Sequence, residues 1–240
     1  MKLFAIGDLH LPGGDDKPMD VFGEQWTEHF ERIARDWRAR VSPEDVVLIP
    51  GDVSWAMQLS AALPDLAAIA ALPGRKVLSK GNHEYWWNSV TQVRAALPAG
   101  MYAIQHDALD LGEAVVCGTR GWIFPGGDAP LTPEDEKIYR RELGRLRMAL
   151  DAAAKLADGR PLVVMLHYPP LYAQGRDSGF TELIEAYPVH TVVYGHLHGA
   201  AIRTGFNGVH GGVRYRLTSC DSLGFRLAEL SLAETAEEKS

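Results

Sequence analysis

Five short runs rich in Val, Ile and Leu each break off at a cluster of Asp, Asn or His, four of them with glycine. Lys2–Ile6 leads into Gly7-Asp8-Leu9-His10, and Asp45–Ile49 into Pro50-Gly51-Asp52. Lys76–Leu78 is followed by Lys80-Gly81-Asn82-His83-Glu84. Pro161–Leu166 ends at His167, and His190–Tyr194 ends at Gly195-His196-Leu197-His198. Apolar runs of this length read as strands covered on both faces, which is the pattern of a parallel sheet between helices. Sheets of that kind bind ligands beyond the carboxyl ends of their strands. If the strands are parallel neighbours, the five clusters converge at one edge. Glycine beside each acid or amide lets the backbone turn there and aim the side chain inward.

Helical patterns separate the runs. Trp26, Phe30, Ile33 and Trp37 recur on one helical face. Pro64 suits the first position of a helix running to Ala71. Thr132-Pro133-Glu134-Asp135 supplies an N-cap, a first-turn proline and acids that favour a helix start. The helix it opens carries Tyr139, Leu143, Leu146 and Leu150 inward and runs to about Ala157. Glu113–Cys117 reads as a further strand, and Val213–Ser219 and Arg226–Leu232 as consecutive antiparallel strands. Gly118–Thr132 reads as a long surface loop over the site, giving a loop-plus-helix segment at about 118–158. The tail 233–240 is small and charged and is expected to fray. Residues 1–240 thus read as a single α/β domain with no internal repeat.

Composition narrows the partners. The chain is 46% hydrophobic and 23% charged, as in soluble globular proteins. Its net charge of −7 argues against duplex nucleic acid. It leaves room for a small phosphorylated substrate held by bound cations. Cys117 and Cys220 are far apart and read as reduced, buried residues. The N-terminal apolar run is too short for a signal-peptide core and no stretch is long enough to span a membrane, so a cytoplasmic location is expected.

The clusters together hold Asp8, His10, Asp52, Asn82, His167, His196 and His198. These are oxygen and nitrogen donors without a thiolate, a set that suits Mn, Fe, Zn or Co. Seven donors exceed what one four-coordinate ion uses. Two divalent ions sharing a bridging carboxylate would use them all.

In these five blocks the chain resembles the calcineurin-like metallophosphoesterase superfamily, from Asp8 to His198. The resemblance implies a four-layer α/β/β/α sandwich with a two-metal site at one edge. It places one ion on Asp8, His10, Asp52 and His198, and the second on Asp52, Asn82, His167 and His196, with Asp52 bridging. Manganese is the first expectation for both. The resemblance further implies that a bridging hydroxide attacks phosphorus while His83, not itself a ligand, assists the leaving oxygen. Glu84 would orient a histidine. The implied activity is phosphoester hydrolysis, leaning slightly to diesters; a phosphomonoesterase or a non-catalytic metal-binding scaffold on the same fold is the alternative.

Departures from the family narrow the substrate. Asp52-Val53-Ser54-Trp55-Ala56 lacks the Asp-Arg pair of protein Ser/Thr phosphatases. Trp55 stands where purple acid phosphatases place a tyrosine ligand, and tryptophan is a donor only. Lipid-A-pathway diphosphatases carry Arg where this chain has His83. Arg120, Trp122, Tyr172 and Lys80 are candidate substrate contacts. Trp55, Trp86, Trp87 and Trp122 form a candidate stacking wall for a nucleobase or other organic group.

Overall fold

The computed structural model describes residues 1–14, 19–125 and 130–232. Among these, eleven strands form two sheets. The first has the order β11 (Ala228–Leu230), β1 (Leu3–Ala5), β2 (Val46–Pro50), β3 (Arg75–Ser79), β4 (Met101–Ala103). The second has β5 (Asp107–Asp110), β6 (Val115–Gly118), β7 (Leu162–Met165), β8 (Val189–Tyr194), β10 (Val213–Leu217), β9 (Gly208–His210). Strands β1 to β4 are parallel, as are β6, β7, β8 and β10. The edge strands β11, β5 and β9 run antiparallel to their neighbours.

Side chains alternate between two apolar environments along each central strand, so runs that look uniformly apolar in sequence serve two cores. Phe4, Val47, Ile49 and Leu78 enter an outer core with α1 (His29–Arg40), α2 (Leu59–Ala70) and α3 (Val90–Ala96). Val115, Cys117, Val164, Val192 and Tyr194 enter another outer core with α4 (Pro133–Ala157) and α5 (Gly179–Glu185). Leu3, Ala5, Val46 and Leu48 of the first sheet meet Val116, Val163, Met165 and Val193 of the second in a third core between the sheets. Helices, sheet, sheet and helices thus stack as four layers. Each fully buried aliphatic side chain contributes about 1.5–3 kcal/mol to that stack.

Helix α4 starts as the sequence reading expects. Thr132 and Asp135 form a reciprocal capping box with Pro133 in the first turn. Its inward residues Leu146 and Leu150 are buried, with Tyr139 and Leu143 packed beside them.

Several expectations are corrected. Pro64 does not open α2 but lies inside it. Ala62, Leu66 and Ile69 share its buried face, and the buried Asp65 carboxylate accepts hydrogen bonds from Gly13 N and Ser54 Oγ. These contacts outweigh the one helical hydrogen bond that proline removes. Trp26 belongs to a short 3-10 turn, Glu24–Trp26, and the helix proper starts at His29. Strands β10 and β11 do not pair with each other. Ser219 bridges to Gly7 at the seam, where Cys220 N donates to Gly7 O, and the chain crosses there from the second sheet to the first. The tail 233–240 and residues 126–129 of the expected loop lie outside the described residues. Among the described residues no helix is long and apolar enough to cross a membrane.

Candidate metal centre

The carboxyl ends of β1, β2 and β3 face those of β7 and β8 across the seam between the sheets, and the five polar clusters meet there. Four of the residues that turn inward carry the backbone strain themselves: Asp8, His10, Asp52 and His196 have φ of 58°, 46°, 52° and 73°. Such left-handed conformations cost a residue with a Cβ free energy, and they persist where surrounding structure enforces them. Gly81 and Gly195 serve a purpose other than the expected turn. A Cβ at Gly195 would collide with the Asp8 carboxylate, and one at Gly81 with Asp52 Oδ1. These glycines let backbone approach the acids closely.

Asp8, His10 and His198 offer three donor atoms within 4.8 Å of one another, as do Asp8, Asp52 and His167. His10 Nε2 lies 3.3 Å from His198 Nε2 and 3.9 Å from Asp52 Oδ2. His198 Nε2 lies 3.4 Å from Asp8 Oδ1, and His167 Nε2 3.4 Å from Asp52 Oδ2. Asn82 Oδ1 sits 2.6 Å from His167 Nε2 and 2.9 Å from His196 Nδ1. All seven donors named from the sequence therefore join one cluster, with Asp8 and Asp52 central and buried.

The chemistry of the donors fits cations. His167 Nδ1 is 3.0 Å from Pro50 O, an acceptor only, so Nδ1 carries the hydrogen and Nε2 carries the lone pair. That lone pair faces the Asp52 carboxylate and the Asn82 oxygen. His198 Nδ1 is likewise committed to Asp221 Oδ1 at 2.9 Å, turning Nε2 toward Asp8 and His10. The lone pairs of His167 Nε2, Asn82 Oδ1 and the Asp52 carboxylate converge and repel, and a cation among them turns that repulsion into coordination. Burial and the neighbouring Asp8 push Asp52 up to about 8. Burial opposes ionisation of Asp8 too, but His198, His167 and His10 hold it below the ordinary carboxylate range. Burial drives His10 and His196 down to about 3, which keeps both imidazoles neutral. His198 is opposed by burial yet raised to about 10 by Asp221 and Asp8. Divalent cations at this point favour every acid as carboxylate and every imidazole as neutral donor.

Three supporting residues escaped the sequence reading. Asp221 holds His198 and also accepts from Gly199 N at 3.0 Å. His29 Nε2 bonds Leu9 O at 2.8 Å and steadies the Asp8–His10 turn. Trp26 packs beside His10 and His198, with ring centroids 6.2 and 5.6 Å away. Asp221 follows a strand in a polar cluster, Ser219-Cys220-Asp221-Ser222, which is the same signal that marked the other five. Glu84 is corrected: it orients no histidine. Its buried carboxylate accepts the backbone N–H groups of Asp52, Val53 and Gly81, and so clasps the β2 and β3 ends together.

His83 is about a third exposed, with Nε2 4.0 Å from Asp52 Oδ2, and its ring stands 4.4 Å from Trp55. Trp55 also stacks on His10 at 4.8 Å. A cleft of about 360 Å³ opens over His10, Asp52, His83 and His198, walled by Met19, Phe22, Trp26 and Trp55. The expected stacking wall is only partly there. Trp86 and Trp87 are buried in the outer core, where Trp87 Nε1 bonds Gln105. Trp122 packs under the Arg120 guanidinium and against Tyr168, which covers His196 at 4.1 Å. Tyr172 stacks on Phe124 beside the second sheet's outer core and does not line the cleft over the acids. Lys80 and Arg120 line a separate cleft on the β3 and β6 side.

The calcineurin-like phosphoesterase family model matches residues 1–200. No curated protein matches the chain. A protein of unknown function from Aquifex aeolicus is similar in structure, with 14% identity, a TM-score of 0.51 and 95% of each chain covered. A phosphopantetheinyl hydrolase from Mycobacterium tuberculosis is similar at 16% identity and a TM-score of 0.55, covering 100% of this chain and 97% of that one. At such identities these two likenesses speak for the fold alone. The family match spans all five polar blocks, and the chain belongs to the calcineurin-like phosphoesterases.

Proposed function

We propose that the chain is a dinuclear phosphoester hydrolase, with Mn²⁺ foremost among Mn, Fe, Zn and Co, and with His83 assisting the leaving group. The family makes it a metal-dependent phosphoester hydrolase. The observation that carries the finer reading is the convergence of seven donors on a shared pair of carboxylates. Asp8, His10 and His198 would hold one ion, Asn82, His167 and His196 the other, and Asp52 would bridge. Two such ions supply charge neutralisation for the phosphate and a more acidic water.

The protein's own groups supply the rest. Glu84 fixes the Asp52 and Gly81 backbones, and Asp221 and Pro50 O fix the His198 and His167 rings, so the donors need little reorganisation. Burial and His167 hold His83 below the ordinary histidine range. A phosphate beside it adds the negative charge that raises its proton affinity, so that it passes a proton to the leaving oxygen. The apolar walls of the cleft, Met19, Phe22, Trp26 and Trp55, suit an ester with an organic arm and favour a diester.

The test is hydrolysis of bis-p-nitrophenyl phosphate against p-nitrophenyl phosphate with added Mn²⁺. The diester is expected to turn over faster. His83→Ala is expected to lower kcat by about 10²–10⁴ while metal content stays at wild-type level. Metal binding without turnover of either ester would refute the hydrolase reading.

A further inference from the structure

A second cluster of charge lies beside the metal centre. A cleft of about 270 Å³ on the β3 and β6 side is lined by Lys80, Arg120, Arg141 and Arg145, with Gln105 and Glu142. Four cations thus face one carboxylate, in a chain whose net charge is −7. Glu142 is fully buried and already engaged: Arg145 Nη1 lies at 2.7 Å, Arg141 Nε at 3.8 Å, and the Thr119 hydroxyl donates at 2.6 Å. It leaves Arg120 and Lys80 without an ion-pair partner among the described residues.

Arg120 is positioned for a ligand. Arg120 is half-buried, with its guanidinium carbon over the Trp122 ring, 4.4 Å from the centroid. Within the described residues it donates no hydrogen bond. Lys80 uses one proton on Trp87 O at 2.7 Å, and two remain. Gln105 uses its amide oxygen for Trp87 Nε1, which leaves its NH₂ group as a donor. Lys80 and Arg120 bring like charges into the same cleft. Like charges held together in this way are stabilised by an anion.

The cleft adjoins the metal centre through both strands. Lys80 stands two residues before Asn82, and Arg120 O accepts from His167 N at 2.9 Å and Tyr168 N at 3.0 Å. Yet the cleft is distinct from the apolar one over His10 and His83. We infer that Arg120, Lys80 and Arg145 form an anion subsite for a second phosphoryl group, carried by the substrate beyond the phosphate that is cleaved. This deepens the hydrolase reading and rests on it for the position of the scissile phosphate.

The test is isothermal titration calorimetry on the full chain with Mn²⁺, using inorganic pyrophosphate and orthophosphate as probes. Wild type is expected to bind pyrophosphate more tightly. Arg120→Met and Lys80→Met are each expected to weaken pyrophosphate by about tenfold or more, as loss of a charge-assisted hydrogen bond does, and to change orthophosphate far less. Arg120→Lys should restore part of the loss. Arg140→Met, on the exposed side of α4 and paired with Glu136, should leave both affinities unchanged. Equal weakening of both probes would mean that the cluster grips the scissile phosphate and would overturn the subsite. No weakening by either variant, with melting unchanged, would overturn it as well. Diester turnover measured on the same preparations separates the two claims. Turnover without pyrophosphate selectivity removes the subsite alone; selectivity without turnover leaves a diphosphate-binding cleft but removes the hydrolase, and with it the cleaved phosphate that the subsite is defined against.

Discussion

Glu84→Gln isolates the clasp between the β2 and β3 ends without changing side-chain volume. Glu84 Oε1 accepts Val53 N, and Oε2 accepts both Asp52 N, at 3.0 Å, and Gly81 N. An amide offers one acceptor and turns an NH₂ toward the other donors. The better orientation keeps the two bonds to Asp52 and Gly81 and strands the Val53 N–H. A stranded buried donor costs about 1–3 kcal/mol, and each kept bond loses about 1 kcal/mol when its acceptor becomes neutral. No longer burying a charge returns part of this, because burial and Asp52 push Glu84 up to about 7. The net is about 2–4 kcal/mol, or about 4–16 °C in Tm for a chain of this size. Because the loosened backbone carries Asp52, metal affinity should fall by about 10–100-fold as well. Differential scanning calorimetry and Mn²⁺ titration read the two effects. A Glu84→Gln variant that melts within about 2 °C of wild type and binds Mn²⁺ equally would refute the clasp.

Two further perturbations probe other links. Asp221→Ala frees the His198 ring and the Gly199 N–H, and is expected to weaken Mn²⁺ binding by about 10–100-fold, measured by calorimetry. Asp36 lies on α1, and burial opposes its charge, but Leu227 N, Arg226 and Arg40 hold its carboxyl below the ordinary range. Its stabilisation is therefore fully present above the unfolded carboxylate value of about 3.9 and is lost as pH falls through the lower folded value. The Tm difference between wild type and Asp36→Asn should be about 2–4 °C near pH 7 and should close in the acid range; a difference that persists there would contradict the assignment.

The strand ends were legible because a parallel sheet converts sequence position into spatial position. A polar residue just past an apolar run must lie at the carboxyl edge, whichever sheet it belongs to. This is why Asp8, Asp52, Asn82, His167, His196 and His198 were found from the chain alone. What the pattern left unsaid is that β1 to β3 and β7 to β8 belong to different sheets. Both faces of each strand are apolar, so period-2 alternation cannot tell an outer core from the core between sheets. Strands β4, β5 and β9 are three or four residues long and set up no periodicity to read. Pro64 misled because the packing of Leu66 and Ile69 and the buried Asp65 decide where α2 begins. Glu84 and Asp221 support other groups through bonds to backbone and to a ring nitrogen, and such roles depend on which loop arrives opposite. Trp86 and Trp87 sit next to site residues in sequence yet face the core, because the turn after His83 reverses direction.

The most direct measurement is anomalous diffraction from crystals grown with Mn²⁺. Two peaks roughly 3.5–4 Å apart are predicted. One should be bounded by Asp8, His10 and His198, the other by Asn82, His167 and His196, with Asp52 touching both. A single peak, or two that share no contact with Asp52, would contradict the dinuclear centre.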